Sequence, residues 1–343
     1  MVASTNPLSD WQVNRADIAY IGHELQRPEC ILAERDGTLW SADARGGVMR
    51  IAPDGTQSFI GQTSRIDEPA EFDARYVQTS GSLPNGLCFD AQGDFLIANF
   101  GTDALEHMGR DGRSRTLLDR IDGQPLGKAN FVTRDRRGRI WLTVTTRTNP
   151  WTDAVRTKVH DGYIALIDDR GARIVADGLC TTNELRFDAD EHHIYVAETA
   201  IRRVTRWRVG PDGTLSQKES FGPSVLPGTP DGIAFDAHGN LWTTLVMNEK
   251  LVAITPSGDV LTLLDDSQPG AAEYDRADAE NRLTPEIMLA CKGSIAPWMA
   301  SVTFGGPDLR NVYLGSLLGT RIPWFRSPVP GLPPIHWQDG KRA

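Results

Sequence analysis

A short unit recurs six times along the chain, and few architectures accommodate such a repeat. Each unit runs from a turn, usually glycine-bearing, into a hydrophobic strand, a loop, a second strand and often another glycine turn. The instances begin at Asp36-Gly37-Thr38-Leu39-Trp40, Gln92-Gly93-Asp94-Phe95-Leu96 and Arg137-Gly138-Arg139-Ile140-Trp141. They continue at Glu191-His192-His193-Ile194-Tyr195, His238-Gly239-Asn240-Leu241-Trp242 and Leu309-Arg310-Asn311-Val312-Tyr313. A further strand-like run lies upstream of most of them, as in Leu87-Cys88-Phe89-Asp90, Leu185-Arg186-Phe187-Asp188 and Ile233-Ala234-Phe235-Asp236. The runs are short, rich in β-branched and aromatic residues, and bounded by turn formers. No unit carries a helical stripe between its strands, which argues against βαβ architecture. Six units, each able to supply four antiparallel strands, predict an all-β fold, a six-bladed β-propeller. Ring closure lets each blade cover the next and protects the sheet edges.

One domain is expected over 1–343. It carries an N-terminal extension over about 1–20, an acidic insertion over about 265–289 and a Pro-rich C-terminal tail over about 323–343. A short helix is expected near Glu273 to Asn281, and a second insertion runs from Arg147 to Asp161. The 36 basic residues against 45 acidic ones give a net charge of −9, with no basic footprint for nucleic acid. No apolar run reaches the roughly 18 residues of a membrane span. The first residues lack a basic start and an apolar core, so no signal peptide is expected. Cys30, Cys88, Cys180 and Cys291 are widely spaced without a CxxC pair and read as reduced packing residues, so a cytoplasmic setting is expected. The periodicity specifies no partner surface and no oligomeric state.

The informative residues precede the first strand of each unit. They are Glu29 in Arg27-Pro28-Glu29, Asn85 in Pro84-Asn85-Gly86, Asn130 in Lys128-Ala129-Asn130, Asn183 in Thr182-Asn183-Glu184 and Asp231 in Pro230-Asp231-Gly232. Innermost strands surround the channel of a propeller, so equivalent positions from separate blades converge at its mouth. Each Asn or Asp alone is an ordinary turn residue. One per blade, they form a set of two carboxylates and up to three amide oxygens. Such hard donors suit Ca2+, Mg2+ or Mn2+ rather than a thiolate-bound metal. Asn85 is the weakest member, because Pro-Asn-Gly is also a plain turn signal.

At these residues the chain resembles the SMP-30/gluconolactonase/luciferin-regenerating-enzyme (LRE)-like family, over roughly Glu24 to Leu318. Pro28-Glu29, Asn183 before Leu185-Arg186-Phe187, Pro230-Asp231-Gly232 and Phe304-Gly305-Gly306-Pro307-Asp308-Leu309 carry the resemblance. It implies a propeller with one divalent ion, calcium first and Zn2+, Mn2+, Mg2+ or Fe2+ as alternatives, over the central channel. It implies Glu29, Asn183 and Asp231 as ligands, and Asn130 as a fourth ligand or a substrate contact. The sequence departs from the family at three places. Asn130 is followed by Phe131 rather than Asp-Gly, Asn183 by Glu184 rather than Gly, and Lys128 stands where sugar lactonases commonly have arginine.

The expected activity is metal-dependent opening of a lactone to a hydroxy acid, with Asp231 and Asn130 as catalytic residues. Asp231 would accept the proton of the attacking water. Asn85, Lys128, Phe131, Glu184, Trp151, Phe100 and Met247 are assigned to the substrate pocket. The aromatic members serve equally well as packing between blades, and Glu184, next to Asn183 on a strand, is expected to face away. Two readings compete: a metal-dependent esterase or phosphotriesterase, and a non-enzymatic binding propeller with a structural ion. The expected ligand is a small lactone or ester, with no nucleic acid or membrane partner. No Gly-x-Ser-x-Gly elbow or His-Glu-x-x-His motif points to another hydrolase class.

Overall fold

Every repeat folds as a four-stranded antiparallel sheet. The computed structural model describes residues 6–63, 71, 72 and 78–339. The innermost strands are Ile31–Ala33, Pro84–Phe89, Ala129–Arg134, Thr182–Phe187, Pro230–Phe235 and Met299–Gly305. Each packs beside the next, and the sixth returns to the first, so the six sheets ring a common axis. The chain is an all-β, six-bladed propeller.

The recurring motif explains why adjacent blades adhere. Its Trp or Tyr, on the second strand, packs edge-on against the neighbouring blade. Trp141 meets Phe187 at 5.4 Å, Tyr195 meets Phe235 at 4.8 Å and Trp242 meets Phe304 at 5.1 Å. Each such pair adds about 0.5–1.5 kcal/mol beyond the burial of the rings. The aspartate ahead of the motif serves both the turn and the ring. Asp135 accepts from Arg137 N at 2.9 Å and from Trp141 Nε1 at 2.9 Å, and Asp236 does the same for His238 N and Trp242 Nε1.

The ring closes with strands from both ends of the chain. Ala19–Ile21 forms the outer strand of the sixth blade, antiparallel to Ile322–Arg326. The segment set apart as an N-terminal extension therefore ends inside a sheet, and its residues 1–5 lie outside the described residues. The tail expected from 323 likewise begins within a strand, and its residues 340–343 lie outside the described residues. Pro323 lies beyond the pairs with Asn311–Tyr313, which end at Trp324, and faces Tyr20 of the outer strand.

Beyond Arg326 the chain straps the channel end opposite the strand starts. Leu332 N donates to Phe235 O at 2.9 Å, and Trp337 Nε1 and His336 Nε2 both meet Ala33 O at 2.8 Å. A cavity of about 490 Å³ lies between the strap and the inner strands, lined by Cys30, Phe131, Arg186, Phe187, Ile335 and His336 among others. His336 also packs edge-on against Phe89 at 4.9 Å. Burial pushes its imidazole down to about 4, against the opposing pull of its Ala33 carbonyl partner and of Glu34 and Asp339, with Arg134 adding to the depression. The unfolded chain takes up this proton near its ordinary value of 6.5 and the folded chain only near 4. Stability is thus expected to fall as pH drops from 6.5 to 4, by up to about 3 kcal/mol from this residue. Urea unfolding at pH 7 and pH 4.5 checks this. His336→Gln should lose much of the difference, and an unchanged difference would remove His336 as its source.

Both insertions fold as helices on the other end of the ring. α1 is Trp151–Thr157, α2 is Ala271–Ala279 and α3 is Pro285–Leu289. Thr284 caps α3, accepting from Ile287 N, with Pro285 in the first turn. The acidic insertion is tied down by cations: Arg202 pairs with Asp275 at 2.8 Å and Asp278 at 3.0 Å. Tyr274, Ala277 and Leu283 are buried against Val246, Met247 and Trp298. Among the described residues no helix is long and apolar enough to cross a membrane.

Candidate functional site

The same irregularity recurs at the start of five inner strands. In the second blade Pro84 pairs with Asn99 and Gly86 with Ala98, leaving Asn85 as an extra residue. Asn130 is the extra residue of the third blade, between the pairs Ala129–Val144 and Phe131–Thr143. In the fourth, fifth and sixth blades three steps on the inner strand oppose two on its neighbour, between Thr182 and Leu185, Pro230 and Ile233, and Met299 and Val302. A bulge re-aims a side chain that regular alternation would send elsewhere. Here it brings Asn85, Asn130, Asn183 and Asp231 to one cavity. Glu29 joins them from the turn ahead of Ile31–Ala33, where its N–H donates to Arg27 O at 2.7 Å. Glycine follows the bulged residue where blades touch: a Cβ on Gly232 would lie 2.4 Å from Ser301 Cα.

Hydrogen bonds orient the floor of this cavity. Arg27 Nη2 donates to Asn85 Oδ1 at 2.7 Å, and Asn85 Nδ2 donates to Glu29 Oε1 at 3.2 Å and Asn130 O at 2.9 Å. Asn85 is therefore fully engaged and holds three blades in register. Asn183 Nδ2 donates to Thr199 Oγ1 at 3.1 Å, and that hydroxyl donates to Pro230 O at 2.8 Å. Four buried oxygens of the cavity lining are left without a partner: Glu29 Oε2, Asn130 Oδ1, Asn183 Oδ1 and the Thr181 hydroxyl. Buried unpaired acceptors are costly, and a set of them converging from the first, third and fourth blades calls for a positive group.

The charge balance says the same. Burial pushes Glu29 up to about 8 despite Arg27, and it pushes Asp231 well above the carboxylate range, reinforced by Glu29 and Glu184. Arg27 itself is lowered by burial. The donors are carboxylate and amide oxygens, and no thiolate or imidazole lines the cavity among the described residues. Glu29, Asn130, Asn183 and Asp231 thus fit a hard divalent cation.

Apolar side chains close the cavity above this floor and leave about 130 Å³. Phe100, Trp151 and Met247 are among them, as are Tyr274, Met288 and Trp298, which sequence reasoning did not single out. Arg27 was also missed, although its place two residues before Glu29 was a signal. Three sequence candidates lie away from this cavity. Lys128 pairs with Asp103 at 2.8 Å. Phe131 is buried below, where it lines the larger cavity and stacks on Arg186 at 4.1 Å. Glu184 is wholly buried, accepts from Ile233 N at 3.1 Å and pairs with Arg186 at 2.8 Å. A separate group, Asp90, Asp94 and His107, brings its ligand atoms within 4.8 Å of one another. It lies at the far ends of the second blade's strands, not at the channel mouth.

A family profile described as SMP-30/Gluconolactonase/LRE-like region matches residues 60–266. The chain belongs to this family. This member is 25% identical over 241 residues to a 6-deoxy-6-sulfogluconolactonase of Pseudomonas putida, covering 68% of this chain and 70% of that one. It is 26% identical over 233 residues to the adipocyte plasma membrane-associated protein hemomucin of Drosophila melanogaster, covering 64% of this chain. The chain spans only 38% of hemomucin's length. Regucalcin of Agrobacterium tumefaciens strain C58, a calcium-binding protein, superposes with a TM-score of 0.64 at 14% identity, over 91% of this chain and 95% of that one. At that identity the likeness shows the shared fold.

Proposed function

We propose that this family member is a divalent-cation-dependent lactonase that opens a small cyclic ester to a hydroxy acid. The observation that carries the reading is the convergence of Glu29 Oε2, Asn130 Oδ1 and Asn183 Oδ1, all buried and unpartnered, beside Asp231. Glu29, Asn183 and Asp231 would hold the cation, with Asn130 as fourth ligand or substrate contact. Calcium is the ion we assign, because the donors are all hard oxygens and regucalcin is a calcium-binding protein. A divalent cation at this floor supplies polarisation of the ester carbonyl and stabilises the charge that develops on its oxygen.

The chain's own residues do the rest. Thr199 fixes the amide plane of Asn183, and Asn85 fixes Glu29, so the oxygens are preorganised. Asp231 takes the proton of the attacking water at its carboxylate. The helices above the floor restrict bulk water, which strengthens the electrostatic interactions beneath them. The named activity of the Pseudomonas putida relative supports the reaction class.

Proton release on a panel of lactones, with chelated protein before and after adding back divalent ions, tests the reading. Turnover that vanishes on chelation and returns with calcium is expected. Turnover of phosphotriesters or open-chain esters alone would replace the reaction class. No turnover of any of these would favour a binding propeller.

A further inference from the structure

We infer, resting on the lactonase reading of this site, that the substrate is a monocyclic lactone with a bare or alkyl-substituted ring rather than a polyhydroxylated sugar lactone. Size comes first. The cavity holds about 130 Å³, and an apolar cavity of about 150 Å³ accommodates a benzene molecule. One ring with a short substituent fills it. The wall comes next. Phe100, Trp151, Met247, Tyr274, Met288 and Trp298 surround the space above the floor. The indole N–H of Trp298 is already donated to Met288 O at 3.1 Å, so this wall member is committed elsewhere.

Few donors or cations remain for sugar oxygens. Arg27 is held on Asn85, both ends of the Asn85 amide are engaged, and Asn183 Nδ2 is held on Thr199. Thr145 donates to Thr182 O at 2.9 Å. The floor's unpartnered atoms are acceptor oxygens plus the Thr181 hydroxyl, and the acceptors face the proposed cation. Most of the wall is hydrocarbon and sulfur, so the several ring hydroxyls of an aldonolactone would leave water for more apolar contact than the Trp151 indole N–H and the Tyr274 hydroxyl, itself paired with Thr229, can offset. Arg27 is the only cation lining the cavity among the described residues, and the Glu29 and Asp231 carboxylates already offset its charge, which weakens its hold on an anionic sugar substituent. An apolar lactone instead sets its carbonyl on the polar floor and its hydrocarbon edge under the helices.

The test compares two six-membered lactones, δ-hexalactone and D-glucono-δ-lactone, on the calcium-loaded full chain. The expected kcat/KM ratio favours δ-hexalactone by at least ~100-fold, in line with a site that leaves several hydroxyls unpaired. Met288→Gln should narrow that ratio at least ~10-fold by giving the wall a polar group. Binding of 4-methylcyclohexanone, followed by tryptophan fluorescence through Trp151 and Trp298, reads the pocket without chemistry. A preference for the gluconolactone would overturn the inference and leave the lactonase reading standing. Tight ketone binding with no turnover of either lactone would sink the lactonase reading and keep the apolar pocket. Absence of both ketone binding and δ-hexalactone turnover would overturn the inference.

Discussion

Asp231→Ala is expected to lower lactone opening at least ~1,000-fold at saturating calcium, toward the upper end of what a positioned base contributes. Asp231 is the carboxylate that a bulge delivers to the cavity from the fifth blade, while Gly232 lets the next blade approach. The substitution removes both a cation ligand and the proton acceptor, so the two losses must be separated. Asp231→Asn keeps an oxygen donor and the side-chain volume but cannot take the proton. It should bind calcium measurably by calorimetry while turnover stays near that of the alanine variant. An Asn variant with turnover within about tenfold of wild type would move the base elsewhere. Glu184 would not inherit the role readily, because it lies outside the cavity lining, with Oε2 held by Ile233 N and Arg186.

The blades, and the convergence of one polar residue from each of five blades on one cavity, were both legible in the chain, for local reasons. Turn-Gly followed by Leu-Trp or Ile-Trp marks a hairpin whose Trp is bound by a nearby aspartate, and this pattern repeats at Asp135 and Asp236. Glu29, Asn85, Asn130, Asn183 and Asp231 could be found because each sits at the same point of its repeat. What stayed hidden depends on contacts between distant segments. The outer strand Ala19–Ile21 carries no repeat signature and is defined only by its pairing with Ile322–Arg326. The walls contributed by Tyr274 and Met288 come from an insertion whose acidity points to solvent, yet α2 is held down by Arg202. Phe131 reads as a pocket residue from its place near a channel-side loop, and Glu184 from its place beside Asn183. A bulge changes the direction of successive side chains, so adjacency does not transmit location. Glu184, directly after the fourth-blade asparagine, meets Arg186, and this pair with Phe131 packs into the channel beneath the floor.

Glu29→Gln should separate the cation's role in stability from any role in turnover. In the cation-free protein Glu29 is a buried carboxyl with Oε2 unpartnered, pushed up to about 8 by burial. Glutamine keeps the shape and an acceptor for Asn85 Nδ2, and it removes the charge that burial opposes. The cation-free variant is therefore expected to be more stable than cation-free wild type, by about 1 kcal/mol at pH 8 or above. Wild type should gain about 4 kcal/mol from calcium at ~1,000 times its Kd, seen as a rise of several degrees in Tm. The variant retains Asp231, Asn130 and Asn183 but has lost one negative charge directly facing the cation. Its calcium affinity should fall at least ~100-fold, about 2.7 kcal/mol, so the same calcium concentration produces at most about a third of that rise. Thermal scans of both proteins, with chelator and with calcium, decide the matter. If Glu29→Gln keeps the full calcium-dependent rise, the cation sits elsewhere, and Asp90, Asp94 and His107 become the next donors to substitute.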